Sequence, residues 1–594
     1  MNISFSRALP IFFALQTLII LALLLITRES RDNDLLKKEP TRYYSITKFL
    51  YVITLMSILL KLFVEDFMIS LLYIMLVIII PITVLILLVM IRSSPKPIVA
   101  VTILWHLMIL LSPVPKDGMS ITEGVHMTRT MIIYGNWIEE LAHNPSYNPF
   151  PTIAFLRAAV SYLTSLPWYS WYTTLLLLML VVVLFDLAIY ALTTKLGGNP
   201  ILGAVAIVIA GLTPYINPVS HAYQAPANTL IILALWSFIN LLHRQIRANL
   251  ILIILLFSTA LLTHPTTYVF IFFPLLLPLF HNIQKFINKN FSRAEHIYNK
   301  ATLISVNLIT ITIGAIRFTY EALYAKYTGG ILLSGIVRLF DLIFFKKLEE
   351  NLTASITLYD LAGVPNYQAL LWSFTIGLAT SWILYGFIRK RIHTLDLLMF
   401  SVSSIFILLG YSWATIAKAS SNLYRGLYVA ISFLVPLAAL SIGKILMSKH
   451  KILVGVALLI LLINLALIPN DPELSIPGSM KARGIPGEVL KFQPGESDIT
   501  KAEILINLLQ RIGTLRNIVF SSTRSITYMR YSAYGSSYNT TFSAIGQALW
   551  EVMYIRGLTR GDAPIIPIKV TITETSSESV ILSTPTDIVL YLEE

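Results

Sequence analysis

Hydrophobic residues in this chain form long runs separated by short polar segments. Many runs approach the ~20 apolar residues that an α-helix needs to cross the hydrocarbon core of a bilayer. The pattern predicts an all-α polytopic membrane protein with about fourteen transmembrane helices. They are predicted at residues 8–27, 46–64, 67–91, 97–113, 170–193, 200–213, 225–242, 248–263, 265–281, 301–316, 366–388, 395–413, 425–443 and 452–468.

One further apolar stretch, residues 152–166, is too short to span a bilayer. The aromatic segment 167–172, with sequence PWYSWY, follows it directly. Tryptophan and tyrosine concentrate at membrane–water interfaces. The pattern therefore predicts a helix lying in the plane of the interface.

The pattern changes after the last apolar run, where a Pro- and Gly-rich linker begins near residue 470. Periodicity beyond it predicts helices at 501–511 and 542–555. It predicts strands at 517–520, 564–574 and 578–592. We expect three parts: three additional N-terminal helices in 1–96, a transmembrane core in 97–469, and a small α/β domain in 470–594.

Lysine and arginine occur in alternate loops between the apolar runs, and cytoplasmic loops are the basic ones. This alternation predicts that the N-terminus, the loops 114–169 and 317–365, and the tail from 470 all lie outside the cytoplasm. Three N-glycosylation sequons fall on that outer side, at Asn2, Asn351 and Asn539. The chain is then an integral multi-pass protein of the cell membrane with both termini extracytoplasmic.

Composition agrees with the hydrophobic pattern and excludes several classes of function. Only 13% of the residues are charged, against about 25% in soluble globular domains. The net charge of +13 is spread over short loops and forms no single basic stripe, so we expect no nucleic-acid partner. The absence of cysteine excludes disulfides, thiolate metal sites and cysteine nucleophiles, and fits a thermophile.

Candidate catalytic residues lie in the first large outer loop. Glu123 and His126 are three positions apart, so a helix would place them on one face, and Asp117 precedes them. A carboxylate beside a histidine is suited to act as a general base or to bind a divalent metal. The alternative is a capped amphipathic surface helix with Ser120 or Thr122 as its cap.

Several cations lie near other outer helix ends. Arg317, Lys326 and Arg338 belong to the predicted loop 317–365, and Arg425 begins a predicted span. Arginine suits a phosphate because its planar fork pairs two oxygens at once. The alternative for these cations is snorkelling toward lipid headgroups.

Several other polar residues lie at or inside the predicted spans. His221, Gln224 and His264 are candidates to line an outer cavity, and the histidines could hold a metal with His126. Local hydrogen bonding of each histidine is the alternative. Asp186 lies inside a span, where an acid makes a structural hydrogen bond or serves a proton-coupled transporter.

This layout resembles the GT-C superfamily of polyprenyl-phosphate-sugar-dependent glycosyltransferases, in particular protein mannosyltransferases and aminoarabinose transferases, in an archaeal-like form. In the mannosyltransferase-like branches the first outer loop contains Asp-Glu-x-His or Asp-Glu-x-Arg. Glu123 takes the position of the leading Asp and His126 the basic position, whereas Gly124 replaces the second acid. Asp117 is the reserve candidate. The Trp-Trp-Asp-Tyr-Gly motif of oligosaccharyltransferases does not occur in the sequence.

The resemblance implies an enzyme that moves a sugar from a polyprenyl phosphate to a glycoprotein, glycan or lipid acceptor on the outer face of the membrane. Glu123 or Asp117 would deprotonate the acceptor hydroxyl, and Arg425 with Arg317 or Lys326 would stabilise the leaving phosphate. No cofactor is implied beyond a possible divalent metal. Two alternatives remain open: a transporter or flippase of lipid-linked saccharide, and a non-catalytic scaffold of the GT-C type that binds membrane lipid or partners.

Overall fold

The computed structural model describes twelve α-helices, one 3-10 helix and four strands. The described residues are 5–26, 52, 95–110, 128, 131, 150–166, 171–211, 224–244, 247–288, 299–324, 366–417, 420–446, 518–520, 566–571, 580–583 and 589–592. The helices are α1 (Phe5–Ile26), α2 (Pro95–Leu110), α3 (Thr152–Thr164), α4 (Trp171–Gly197), α5 (Pro200–Gly211), α6 (Gln224–Arg244), α7 (Arg247–Leu261), the 3-10 helix (Pro265–Tyr268), α8 (Val269–Ile287), α9 (Lys300–Tyr324), α10 (Asn366–Ile388), α11 (Thr394–Ala417) and α12 (Ser420–Leu446).

The helical body that the hydrophobic pattern predicts is confirmed, and it is compatible with an integral membrane protein. Among the described residues, five helices are long and apolar enough to cross a membrane: Leu176–Gly197, Gln224–His243, Pro265–Ile287, Lys300–Glu321 and Gly426–Leu446. Other described helices are apolar but shorter. The predicted spans 46–64 (apart from residue 52), 67–91 and 452–468 lie outside the described residues, so the number fourteen stays a prediction.

The chain divides into two compact units. One comprises residues 1–113 and 178–479, and the other comprises residues 114–177 and 480–594. In the first unit α11 packs along α12, α6 along α7, and α1 along α10. A continuous core of buried aliphatic and aromatic side chains joins these helices.

Several helix ends meet at one end of the first unit. The guanidinium of Arg389, just after α10, donates a hydrogen bond from Nη2 to the carbonyl of Leu25 in α1, over 2.9 Å. Asn288, just after α8, donates from Nδ2 to the carbonyl of Ile392, over 3.0 Å. The ends of α1, α8 and α10 and the start of α11 are therefore neighbours, and the loops that follow α1, α8 and α10 are basic.

Helix α8 contains two prolines, Pro274 and Pro278. Pro278 has no N–H group, so it cannot bond to the carbonyl of Pro274 one turn earlier. Asn307 of α9 takes over that role, because its side-chain Nδ2 donates to the Pro274 carbonyl over 3.1 Å. A polar side chain of one helix thus satisfies a backbone group of its neighbour, as an apolar environment requires.

Helices α11 and α12 approach closely at two glycines. A methyl group added at Gly426 would lie 2.8 Å from the backbone oxygen of Phe406 and 3.2 Å from the Cα atom of Gly410. Both atoms belong to the α11 backbone, which cannot move without displacing the helix. Small residues at such crossings let membrane helices pack through their backbones.

Replacing Gly426 by alanine should therefore destabilise the protein by about 1–3 kcal/mol, the usual cost of overpacking. Gly314→Ala is the matched control, because its added methyl group meets no backbone atom: the close contact is the flexible end of Ile271, and the Tyr268 ring lies at an ordinary contact distance. Thermal unfolding in detergent measures both variants. Equal midpoints for the two variants would show that the α11–α12 crossing tolerates a methyl group.

Four short strands belong to the second unit: β1 (Ile518–Phe520), β2 (Ile566–Thr571), β3 (Val580–Ser583) and β4 (Val589–Leu592). Their order is β1-β2-β4-β3, with β1 and β2 parallel and the other pairs antiparallel. The single predicted strand 578–592 is wrong, since β3 and β4 are two paired strands. Pro585 and Asp587 in the connecting sequence favour a turn there. The predicted helices 501–511 and 542–555 lie outside the described residues, so the α/β domain stays a prediction.

Candidate functional site

The turn between α7 and the 3-10 helix is organised around His264. A residue that precedes a proline favours an extended backbone, and His264 has φ −163° and ψ 144°. Its ring Nδ1 accepts a hydrogen bond from the backbone N–H of Thr266 over 3.2 Å, while the hydroxyl of Thr267 donates to its carbonyl over 2.7 Å. The predicted alternative, local hydrogen bonding, is what the structure has for this buried histidine.

Three side chains form a buried polar cluster next to this turn. Tyr268, the last residue of the 3-10 helix, donates its hydroxyl to Oε1 of Glu321 over 3.1 Å. Arg317, one turn before Glu321 in α9, has its Nε 3.0 Å from the same oxygen. We call Arg317, Glu321 and Tyr268 the arginine cluster.

Both charged side chains of the arginine cluster are buried. Arg317 and Glu321 are only 6% and 5% exposed, and an isolated charge at such a place would be costly. The two charges compensate each other, and the ring of Tyr320 lies 5.1 Å from the guanidinium carbon. The arginine cluster therefore keeps a guanidinium shielded from water, and the ion pair leaves the cluster with little net charge.

The arginine cluster lies where several helices meet. The 3-10 helix packs against α6, α7, α8 and α12. Gln224, a predicted cavity residue, is the first residue of α6 and is buried. Arg425, a predicted phosphate ligand, lies near the start of α12.

The chemistry available to the arginine cluster follows from its composition. A guanidinium can pair with a carboxylate and with a phosphate because its donors form a planar fork. A phosphate reaching Arg317 would compete with Glu321, and the Tyr268 hydroxyl could continue to hold the carboxylate.

The loop 317–365 predicted from the sequence begins too early, because α9 continues to Tyr324. The predicted span ended at residue 316 because Arg317 is charged. In the structure Glu321, one turn later in α9, neutralises that charge. The i,i+4 spacing of an arginine and a glutamate was the available signal for a longer helix.

The second unit also contains a buried cation near the predicted catalytic segment. Thr128, five positions after Glu123, is buried, and its hydroxyl donates to the Ala154 carbonyl of α3 over 3.4 Å. Arg157, one turn further along α3, is 1% exposed. Sequence reasoning treated this stretch as uniformly apolar and missed it, although Arg157 is the one charged residue between 152 and 166.

Most of the predicted site residues lie outside the described residues: Glu123, Asp117, His126, His221, Lys326 and Arg338. Their proposed roles stay predictions. Within the described ranges, no group of three or more histidine, aspartate or glutamate side chains could hold a metal ion.

A second buried polar pair joins α2 to α4. His106 Nδ1 lies 2.7 Å from Oδ2 of Asp186, and both side chains are buried. The other ring nitrogen of His106 faces Gly211, where an added methyl group would overlap it. The predicted structural hydrogen bond of Asp186 thus has a partner, which sequence reasoning had not named.

No protein-family model matches the chain, and no curated protein sequence matches it significantly.

Proposed function

We propose that the chain is a membrane glycosyltransferase of the GT-C type. It would transfer a sugar from a polyprenyl-phosphate donor to an acceptor on the outer face of the membrane. The observation that carries the proposal is the arginine cluster, in which a buried guanidinium pairs with Glu321 beside the start of α8.

The position of the arginine cluster along the helices supports this role. The arginine cluster lies at the start of α8, whereas a basic loop follows the other end of this helix. Helix α8 has 19 residues. At 1.5 Å per residue the two ends are roughly 28 Å apart, close to the thickness of the hydrocarbon core. The arginine cluster would then lie at one membrane surface and the basic loops at the other.

The basic loops determine which side of the membrane each helix end is assigned to. The hydrogen bonds from Arg389 to Leu25 and from Asn288 to Ile392 gather helix ends that the charge pattern assigns to the cytoplasm. This grouping supports an outer location of the arginine cluster. Both termini are then extracytoplasmic in the proposal.

In the proposed reaction, the carboxylate of Glu123, or Asp117 in reserve, takes the proton of the acceptor hydroxyl. The hydroxyl oxygen bonds to the anomeric carbon of the sugar, and the bond from that carbon to the phosphate oxygen breaks. Polyprenyl phosphate leaves as an anion. Arg317, with Arg425, compensates the charge that develops on it.

Replacing Arg317 by glutamine should lower sugar transfer by about 10²-fold, the cost of losing a donor to a developing anion. The assay uses membranes that contain the chain, with radiolabelled dolichyl-phosphate mannose and dolichyl-phosphate glucose as donors. It measures label that passes from the donor to any other molecule, in the aqueous or in the organic phase. Arg247→Gln is the control, since Arg247 is exposed at the start of α7, away from the cluster.

Arg317→Gln also leaves Glu321 buried without its cation, so the double variant Arg317→Gln with Glu321→Gln is needed. We expect the double variant to unfold like the native protein while transfer stays low. Transfer at the native level in a folded double variant would rule out the arginine cluster as the phosphate site. Absence of transfer from every donor by the native chain would count against the enzyme itself.

The His106–Asp186 pair favours one alternative, a transporter or flippase of lipid-linked saccharide, because buried acids inside spans also serve proton coupling. A transporter would move the intact lipid-linked sugar between the leaflets of a liposome without consuming it. Movement that follows a pH gradient and leaves the donor intact would favour this alternative over the transferase.

A further inference from the structure

Two cations meet at one aromatic ring where α10 and α12 end. Lys444 Nζ lies 4.3 Å from the centroid of the Tyr385 ring and donates to the Tyr385 hydroxyl. The guanidinium carbon of Arg389 lies 5.9 Å from the same centroid. We call Tyr385, Lys444 and Arg389 the tyrosine cation cluster.

The turn after α10 presents further positive charge in a fixed conformation. The N–H of Arg391 bonds to the carbonyl of Gly386, and the N–H of Lys390 bonds to the carbonyl of Phe387. This is the Schellman arrangement, in which the residue after the helix is left-handed and is usually glycine. Here Lys390 takes that conformation with φ 50°. A lysine is thus kept in a backbone conformation that L residues avoid.

No described carboxylate compensates the tyrosine cation cluster. Among the described residues, the ion pairs join His106 to Asp186 and Arg317 to Glu321. The nearest acid along the chain, Asp396, is buried and accepts a hydrogen bond from Trp382 Nε1 over 2.8 Å. Two like charges held at one ring repel each other, and an anion between them would remove that repulsion.

Exposed apolar residues directly precede or follow several of the cations along the chain. Ile388 is 55% exposed and Phe387 is 38% exposed, and both precede Arg389 in sequence. On α8, Phe286 is 69% exposed next to the exposed Lys285. Asn288 ties this end of α8 to the turn after α10. The surface therefore offers apolar and cationic contacts together.

We propose that the tyrosine cation cluster and Lys390 bind the phosphate headgroup of an anionic phospholipid. The acyl chains of that lipid lie along Phe387 and Ile388. A soluble anion would use the cations but would gain nothing from the apolar side chains. This inference is independent of the proposed transferase activity and of the arginine cluster.

The test compares lipid binding by the purified full-length chain in detergent. Probes are short-chain phosphatidylglycerol, short-chain phosphatidylcholine and inorganic phosphate. Native mass spectrometry gives the affinity, and the unfolding midpoint gives stabilisation by each probe. We expect phosphatidylglycerol alone to bind tightly and to raise the midpoint.

The variant Arg389→Gln with Lys444→Gln removes both cations. Each cation should contribute about fivefold to the affinity, so phosphatidylglycerol binding should weaken roughly 30-fold in this variant. Lys390→Asn is a second variant that keeps the turn, because asparagine tolerates the left-handed conformation. It should weaken binding about fivefold. The control carries the same change of charge at separate basic positions, Lys195→Gln with Lys300→Gln.

An equal loss in the control variant would mean general attraction to a basic surface, and would overturn the proposed site. Stabilisation by inorganic phosphate as strong as by phosphatidylglycerol would overturn the assignment to a lipid. If phosphatidylglycerol binding is unchanged both in Lys390→Asn and in Arg389→Gln with Lys444→Gln, these three residues do not form the binding site.

Discussion

Sugar transfer should fall by a factor of about 10² to 10⁴ when Glu123 and Asp117 are both replaced by their amides. The proposed reaction needs a carboxylate to accept the proton of the acceptor hydroxyl, and an amide cannot accept it. Size and polarity change little, so the amount of protein in the membrane should stay constant. The dolichyl-phosphate assay described for Arg317 measures the loss.

Single variants separate the two acids. Glu123→Gln should account for most of the loss, because Glu123 takes the position of the leading acid of the GT-C motif. Asp117→Asn alone should have a small effect. Glu140→Gln, in the same predicted outer loop, is the matched control and should be neutral. A double variant as active as the native chain would remove the proposed base.

Removal of Asp186 alone should have the largest effect on stability. Asp186→Ala leaves His106 buried without the partner that lies 2.7 Å away. Breaking a buried pair by deleting one member costs about 3–5 kcal/mol. Thermal or denaturant unfolding in detergent should therefore show a strongly lowered midpoint.

The double variant His106→Leu with Asp186→Leu provides the comparison. Apolar replacement of both members of a buried pair is often neutral, so this variant should recover most of the lost stability. If the single and double variants are equally unstable, the two side chains are not energetically coupled. Asp186→Asn adds a functional readout: it should spare sugar transfer, whereas a proton-coupled transporter would lose its response to a pH gradient.

The helices that the structure describes could be predicted well because their signal is local. The length and composition of an apolar run determine whether a helix forms in a membrane. The predicted span 366–388 has the bounds that the structure gives α10. Helix α3 lies where the short apolar stretch 152–166 predicted it.

The polar pairs could not be predicted in the same way, since they depend on which helices are neighbours. His106 and Asp186 are 80 positions apart, and no pattern along the chain joins them. Tyr268 and Glu321 are 53 positions apart and belong to different helices. For Arg317 the sequence did contain a local signal, the glutamate one turn later, but the predicted helix end preceded it.

The hydrogen bond from Asn307 to the Pro274 carbonyl has a consequence for biosynthesis. Helix α8 is made before α9, and until α9 arrives the Pro274 carbonyl has neither its usual backbone donor nor the asparagine amide. An unsatisfied carbonyl is costly in lipid. We therefore expect α8 to wait at the translocation channel and to enter the bilayer together with α9 as a helical hairpin.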